Sequence, residues 1–230
     1  MRDKLSPGAW GALVLVGVFV VVALLFGFTV VSVEEEESQT VEFDPIAYVD
    51  DTWESVQSTI TDNAVPLANV LNEFEPGPDG KIATEELMPV AEALGRITTG
   101  EAHVYSVAGS GTVTDVDVES SKGSIGLEIE GYDGPVAVRM WIGTRIPSDE
   151  SSVRDATGFI EFGDFREQTE FGKVAKEINK KVVAGLEDID KEALLGKTVD
   201  FTGAFTLRTF NQPSIDVSQI ALVPVEMSER

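Results

Sequence analysis

The sequence has no cysteine and only one histidine, His103. Without cysteine, the chain has no disulfide, no thiolate ligand for a metal and no cysteine nucleophile. A single histidine also excludes a two-histidine metal site and the usual histidine-rich hydrolase sites. We expect His103 to lie in a strand or at its edge and to make an ordinary hydrogen bond.

Basic residues are scarce, with 17 Lys and Arg against 40 Asp and Glu, and the formal net charge is −23. Residues 1–33 carry a net charge of +1, so the remainder carries −24. Because so negative a region repels polyanions, we expect no nucleic-acid partner. A highly acidic surface also stays soluble at high salt, so we hypothesise a salt-loving host. Retained folding at low ionic strength would contradict that hypothesis.

Signatures of common enzymes are missing: there is no phosphate loop, dinucleotide fingerprint, HExxH motif or GxSxG motif. We therefore expect a protein that is not an enzyme and uses no cofactor. The carboxylate pairs Asp115/Asp117 and Glu128/Glu130 have the i, i+2 spacing of an exposed strand face. A carbohydrate-acting enzyme stays open as a third hypothesis, and it requires two carboxylates about 5–9.5 Å apart in a cleft.

One long apolar run, residues 8–33, contains no charged residue. As a helix it is about 39 Å long, against a hydrocarbon core of about 30 Å, so we predict a transmembrane anchor over 1–33. Arg2 and Lys4 precede the run and four glutamates follow it, which places the N-terminus in the cytoplasm and the rest outside. A cleaved signal peptide is the alternative. Residues 34–42 form an acidic spacer.

Residues 43–101 have the pattern of a small helical subdomain. Asp44-Pro45 is a helix start, and the following apolar residues recur at spacings of three and four. A second helix is predicted over 65–74, a loop over 75–80, and a third helix from Thr84 to a stop at Gly95. The predicted buried face of the first helix consists of Ile46, Val49, Trp53, Val56 and Ile60.

Residues 102–230 have the pattern of strands with one helix. Gly109-Ser-Gly111 predicts a bulge that bends one long strand. Three strands, a helix and two strands is the plan of a five-stranded OB-type barrel. We therefore predict an α+β protein with a transmembrane helix, a helical subdomain and an OB-like barrel with its helix between strands 3 and 4. An open α+β sandwich is the alternative. The predicted strands cover 103–107 with 112–118, 124–130, 136–142, 197–207 and 220–227, and the helix covers 170–186.

Four stretches resemble a family of predicted periplasmic lipoproteins of uncharacterised function. They are FDPIAYVDDTW at 43–53, GSGTV at 109–113, FIEFGDF at 159–165 and LGKTVDFTGAF at 195–205. The resemblance spans about 43–227 and implies a helical subdomain joined to an OB-like one. It also implies an accessory role beside a sugar ABC transporter, with a permease or solute-binding protein as partner. This chain lacks the lipid-bearing cysteine, and the transmembrane helix would replace the lipid as tether.

Two sets of residues are candidates for binding. In OB-type barrels the loops contact ligands, which indicates the loop 120–123 and above all Thr209, Phe210, Asn211 and Gln212. Lys173, Lys176 and Lys180 form a basic stripe that could dock an acidic partner. The alternative for the stripe is a solvated helix face interleaved with Glu170 and Glu177.

Two further patterns favour structural roles. Residues 75–86 resemble a calcium loop, but Glu75 replaces aspartate at the first position and Gly77 offers no side-chain ligand at the third. We therefore expect a turn before a helix and no metal site. Six phenylalanines could form a stacking platform for a sugar ring, although filling the core is the simpler explanation. They are Phe159, Phe162, Phe165, Phe171, Phe201 and Phe205.

These features together predict a membrane-tethered, extracytoplasmic binding or accessory module associated with sugar or solute uptake. The alternative is a structural or stress-related protein of the cell envelope with no small-molecule ligand.

Overall fold

The computed structural model describes residues 42–230. The predicted transmembrane anchor and nearly all of the acidic spacer lie outside the described residues. Within 42–230 no helix is both long and apolar enough to cross a membrane. The helices, in chain order, are α1 (Pro45–Asp62), α2 (Leu67–Asn72), α3 (Thr84–Leu94), α4 (Ser152–Thr157) and α5 (Gln168–Gly185). The strands are β1 (Val65–Pro66), β2 (Lys81–Ala83), β3 (Arg96–Ile97), β4 (His103–Asp117), β5 (Ser124–Ile129), β6 (Ala137–Trp141), β7 (Thr198–Leu207), β8 (Ser214–Asp216) and β9 (Gln219–Glu229).

Five strands pair in a ring. Strand β4 pairs antiparallel with β7 over residues 103–112 and with β5 over residues 111–117. Strand β5 pairs antiparallel with β6, β6 pairs parallel with β9, and β9 pairs antiparallel with β7. Helix α5 lies in the chain between the third and fourth of these strands, as predicted. The fold is therefore a mixed α+β fold.

Apolar side chains fill the inside of this ring because alternate residues of a strand point to the same face. Tyr105, Val107 and Val113 of β4 belong to one buried cluster with the inward residues of the other four strands. Residues of α2 and α3, among them Leu71 and Leu87, belong to the same cluster. The two short helices therefore share the core of the ring.

Helices α1, α4 and α5 form a second layer that packs on the outer side of β4, β7 and β9. The buried face of α5 contains Val174, Ile178 and Val182, as its apolar spacing predicts. That of α1 contains Val49, Val56 and Ile60, but Ile46 in the first turn is 55% exposed, which corrects the prediction.

Residues Asp44–Arg230 form one compact unit. The helices predicted as a separate subdomain over 43–101 are distributed between the two layers: α1 lies in the outer layer, whereas α2 and α3 share the ring core. A boundary between residues 101 and 102 stays a prediction.

The predicted single long strand is confirmed, but the bulge predicted at Gly109-Ser-Gly111 is wrong. Strand β4 is continuous through these residues, and the register shift of the β4–β5 pair lies between Val113 and Asp115. The two glycines instead allow atoms of neighbouring strands to lie close to the β4 backbone. A Cβ at Gly109 would lie 3.2 Å from the ring of Phe201, and one at Gly111 would lie 3.0 Å from the Glu128 carbonyl oxygen.

Short pairings explain the other differences from the predicted elements. The helix predicted over 65–74 begins at Leu67, because Val65 and Pro66 pair with β4. Strand β2 pairs with β8, and β3 pairs with β4. Runs of two or three residues are too short to show a period of hydrophobicity, so they leave no signal in the sequence.

Candidate functional site

The predicted ligand loop, Thr209, Phe210, Asn211 and Gln212, secures the start of α3. Thr209 is buried and its hydroxyl donates to the carbonyl of Glu101. The Gln212 carbonyl accepts a hydrogen bond from the Thr84 hydroxyl at 2.5 Å. The Thr209 hydroxyl is thus used in a hydrogen bond inside the fold and is not free to contact a ligand. The other three residues of the loop are exposed. Phe210 is 62% exposed and Asn211 has a φ of +56°. A ligand for these residues stays a prediction.

The predicted docking lysines lie on the exposed side of α5, but they differ in their surroundings. Lys176 and Lys180 line a groove of about 420 Å³ between α5 and the segment 144–148, whereas Lys173 does not line it. Lys180 also pairs with Glu177 at 2.8 Å. Two of the three predicted lysines therefore border a concave surface.

The floor of this groove, which we call the α5 groove, is apolar. It is lined by Ile146, Pro147 and Val183, and Ile146 is buried. Asn179 of α5 holds the segment in place by donating from its side-chain nitrogen to the Glu150 carbonyl at 2.9 Å. An apolar floor with polar groups around it is the usual form of a binding pocket.

Cationic groups surround the α5 groove. Arg145 lines it together with Lys176 and Lys180. Neither Arg145 nor Lys176 has a carboxylate within 4.0 Å among the residues that the structure describes. Glu187 is the acidic residue of the lining. The groove is therefore a cationic site on a strongly acidic protein.

The neighbouring acidic residue Asp149 is already paired. Its carboxylate accepts a hydrogen bond from Arg208 at 3.2 Å, and this bond lowers the pKa of Asp149. Asp149 thus keeps its negative charge, but Arg208 balances it. Arg145 and Ile146 of the groove were not among the predicted site residues. They follow β6 in a segment that shows no periodic pattern, so the sequence gives no signal for them.

The loop 120–123 lines a different cleft, of about 540 Å³. Glu119, Asp190, Lys191 and Glu192 also line it, so its charge is mainly negative. The structure does not bring this loop into the α5 groove, although Thr144 lines both.

Of residues 75–86, the first six form a turn that leads into β2 and α3. The Asp79 carboxylate accepts from the Lys81 backbone N–H at 3.3 Å, and Gly80 has a φ of +75°. Across residues 42–230 no group of three or more His, Asp or Glu side chains is placed to hold a metal ion.

One carboxylate of each predicted pair, Asp115/Asp117 and Glu128/Glu130, contacts an arginine. Asp115 pairs with Arg139 at 3.2 Å, and Glu130 pairs with Arg230 at 3.5 Å. Ion pairs on an exposed strand face are typical of a solvated surface.

Five of the six phenylalanines fall into two groups, and the sixth, Phe159, is 41% exposed and belongs to neither. Phe201 and Phe205 are buried in the ring core. Phe162, Phe165 and Phe171 form a surface cluster with ring centroids 5.6–5.7 Å apart, and Phe162 is 52% exposed. The six residues therefore do not form a single platform.

His103 is 2% exposed, and its Nδ1 is buried without a hydrogen-bond partner in residues 42–230. The expected ordinary hydrogen bond is therefore wrong for this nitrogen. Strands β3 and β7 flank β4 at this residue. The backbone N–H and C=O groups nearby are therefore used in hydrogen bonds between the strands and do not bond to the imidazole. Burial lowers the pKa of the His103 imidazole, because desolvation disfavours its charged form.

Because His103 is buried, the free energy of unfolding is expected to depend on pH between the pKa of the imidazole in the unfolded chain and its lower pKa in the folded protein. The imidazole of the unfolded chain has an ordinary pKa of about 6.5. As the pH falls below that value, the unfolded state takes up a proton that the folded state does not. The free energy of unfolding is expected to fall by at most about 1.4 kcal/mol per pH unit until the lower, folded pKa is reached. Denaturant unfolding of the full chain between pH 7.5 and pH 5 measures this slope.

The matched variant is His103→Gln, which cannot titrate. Because the chain has no other histidine and carboxylates titrate near pH 4, the variant is expected to lack the slope between pH 6.5 and 5. An equal slope in both proteins would contradict the prediction.

Comparison with solved structures shows a similarity of fold. The chain is similar to an OB-fold protein from Thermotoga maritima MSB8, with a TM-score of 0.59 and 19% sequence identity. The match covers 82% of this chain and 99% of that one. At this identity the likeness concerns the fold alone. No curated protein matches the chain.

Comparison with protein families identifies a relationship along most of the sequence. The match covers residues 18–228, which include every element from α1 to β9 apart from the last residue of β9. It confirms the resemblance recognised in the four sequence stretches. The chain belongs to the family described as predicted periplasmic lipoprotein (DUF2291).

Proposed function

We propose that this protein is a membrane-tethered, extracytoplasmic accessory module that binds an acidic segment of a partner protein in the α5 groove. The observation that carries the proposal is the combination of an apolar floor with three cationic residues, Arg145, Lys176 and Lys180. Apolar contact supplies affinity, and the cations select a negatively charged partner.

The net charge of the protein does not exclude such a partner. Charges further apart than about 10 Å are screened at 0.1 M salt, and this distance shortens to about 3 Å at 1 M. Salt therefore weakens the long-range repulsion between two acidic proteins more than contacts inside a partly enclosed groove. The apolar part of the contact is insensitive to this screening.

The proposed tether is a single transmembrane helix over residues 8–33, with the N-terminus in the cytoplasm. The family description supports an extracytoplasmic location. Since the chain has no cysteine to carry a lipid, a helix is the tether we propose. We further propose that the strand ring acts as a closed OB-type barrel, which presents α5 on a rigid support.

The proposed partner is the permease or the solute-binding protein of an ABC-type uptake system for sugars or other solutes. Its support is the family resemblance together with the location. The role is proposed to be non-enzymatic, because the sequence carries no catalytic motif and one carboxylate of each candidate pair, Asp115 and Glu130, is paired with an arginine.

The test is photocrosslinking in native membranes. A benzophenone amino acid placed at Ser148, which lines the groove, would capture whatever occupies it without lysine-directed chemistry. Lys176→Glu is expected to reduce the captured partner about tenfold, because like charges brought together at an interface cost several kcal/mol. Mass spectrometry identifies and quantifies the product.

Lys173→Glu is the matched control, since it makes the same charge change on the same helix outside the groove. It is expected to leave capture nearly unchanged. Equal losses in both variants would indicate a general charge effect and contradict docking in the groove. Capture of only the protein itself or of cell-wall components would instead favour the structural or stress-related role.

A further inference from the structure

A further cavity, of about 520 Å³, lies between the C-terminal end of α3 and the turn that follows α4. We call it the Arg96 cleft. Its size is within the range of about 300–1,000 Å³ for small-molecule sites. The residues that matter for binding are Asn63, Arg96, Ser106 and Phe159.

The charge of the Arg96 cleft differs from that of the whole protein. No acidic residue lines it, although the chain has 40 Asp and Glu. Arg96 donates from Nη1 to the Asp155 backbone carbonyl at 3.0 Å. Within the described chain it has no carboxylate partner within 4.0 Å. An unpaired guanidinium inside a cavity without acidic residues attracts an anion.

The side chain of Asp155, whose backbone carbonyl Arg96 contacts, is already paired. The carboxylate of Asp155 accepts from Arg154 at 2.6 and 2.8 Å and from the Ser151 hydroxyl at 2.7 Å. It therefore competes little for Arg96, whose remaining N–H donors are available to a ligand.

The guanidinium is held by its hydrogen bond to the Asp155 carbonyl in a position that requires a glycine at residue 158. Gly158 has a φ of +74°, and a Cβ there would lie 2.7 Å from Nη1 of Arg96 and 3.0 Å from its Cζ. The guanidinium thus lies against the glycine backbone, where any other residue would displace it. Holding a binding group in place before the ligand arrives reduces the entropy lost on binding.

The other groups of the cleft suit the body of a small ligand. Phe159 is 41% exposed and presents an aromatic ring. The Ser106 hydroxyl makes no hydrogen bond to any of residues 42–230, and Asn63 uses its side-chain nitrogen on the Thr59 carbonyl while its oxygen stays available. A ring-sized molecule can therefore contact both an aromatic surface and polar groups.

We infer that the Arg96 cleft binds a small organic carboxylate with a ring-sized body. Arg96 holds the carboxylate, since a guanidinium matches its geometry with two parallel hydrogen bonds. Phe159 packs against the ring of the ligand. This inference does not depend on the α5 groove, which lies on another part of the surface with no lining residue in common.

Titration calorimetry on the detergent-solubilised full chain tests the inference. The probes are benzoate and D-glucuronate, which carry an apolar and a hydroxylated ring, with acetate and D-glucose for comparison. At least one ring carboxylate is expected to bind at least tenfold more tightly than acetate, and glucose is expected not to bind. Arg96→Met keeps the aliphatic stem and is expected to weaken that binding about tenfold or more.

Arg166→Met is the matched control, because Arg166 is exposed and lies outside the cleft. It is expected to bind like the unchanged protein. Phe159→Leu alters an exposed side chain, so folding is not at risk, and it is expected to weaken the ring carboxylates while leaving acetate unchanged. The inference is overturned if neither ring carboxylate binds, if acetate binds equally well, or if Arg96→Met and Arg166→Met have the same affinity.

Discussion

Replacing Arg154 by alanine is expected to lower the free energy of unfolding by about 3–5 kcal/mol, as loss of one partner of a buried ion pair does. Arg154 is 8% exposed. Its Nε and Nη2 donate to one carboxylate oxygen of Asp155 at 2.8 and 2.6 Å, and its Nη1 donates to the Phe171 carbonyl at 3.0 Å. The guanidinium carbon also lies 3.5 Å from the centre of the Phe171 ring.

The expected loss is large because the partners of Arg154 stay largely shielded from solvent. The Asp155 side chain is 15% exposed and would keep only the Ser151 hydroxyl as a neutral donor. The Phe171 carbonyl would lose the hydrogen bond from Arg154. Arg154 belongs to α4 and Phe171 to α5, so the substitution also removes a direct link between two helices of the outer layer.

The matched control is Arg139→Ala. Arg139 pairs with Asp115 at 3.2 Å, but the two side chains are 35% and 56% exposed. Exposed ion pairs contribute about 0–1 kcal/mol, so this variant is expected to lose no more than that. Denaturant unfolding followed by circular dichroism measures both variants. Similar losses would show that Arg154 acts only as a surface residue.

Two tyrosine-to-phenylalanine substitutions are expected to have opposite effects. The hydroxyl oxygen of Tyr132 accepts a hydrogen bond from the backbone N–H of Val136 at 2.9 Å, and both residues are buried. Tyr132→Phe leaves that N–H buried without a partner, which costs about 1–3 kcal/mol. A Cβ at Gly134 would lie 2.4 Å from the same hydroxyl oxygen, so only glycine at this position leaves room for the Tyr132 side chain.

Tyr105→Phe makes the same chemical change where the hydroxyl has no partner. The Tyr105 hydroxyl is buried without a hydrogen bond within 42–230, and burial raises the pKa of Tyr105. Its ring stacks on Phe205 with centroids 4.8 Å apart, and phenylalanine keeps this contact. Removing an unsatisfied hydroxyl is expected to leave stability unchanged or raise it by about 1 kcal/mol. Equal destabilisation by both substitutions in thermal and denaturant unfolding would contradict the assignment of these hydrogen bonds.

The long elements could be predicted because their burial repeats along the chain. In α5 the residues Val174, Ile178 and Val182 recur at helical spacing, and all three are buried. Gly95 marks the end of α3, as predicted. The succession of strands and helix, which indicates a mixed α+β fold, follows from the same local patterns.

Other features depend on residues that are distant in the sequence. From the sequence alone, Gly109 and Gly111 indicate an interruption of the strand. In the structure they are glycines because Phe201 and the Glu128 backbone pack closely against them, and these partners cannot be known from the sequence. The Arg96 cleft combines Asn63, Ser106 and Phe159, and no spacing between such residues signals that they meet.

By itself, the sequence determined that this is a strongly acidic α+β protein, the approximate positions of its long helices and strands, and its family. Composition and local periodicity carry the first two, since each depends on neighbouring residues only, and the four matching stretches carry the third. Tertiary structure alone decided which charges remain unpaired. Arg154 and Arg96 are identical in chemistry, yet one is neutralised by Asp155 and the other is not. The reason is physical: ion pairing depends on distances of a few ångströms, and only folding sets the geometry between Arg154 and its sequence neighbour Asp155 and decides which distant groups lie near Arg96.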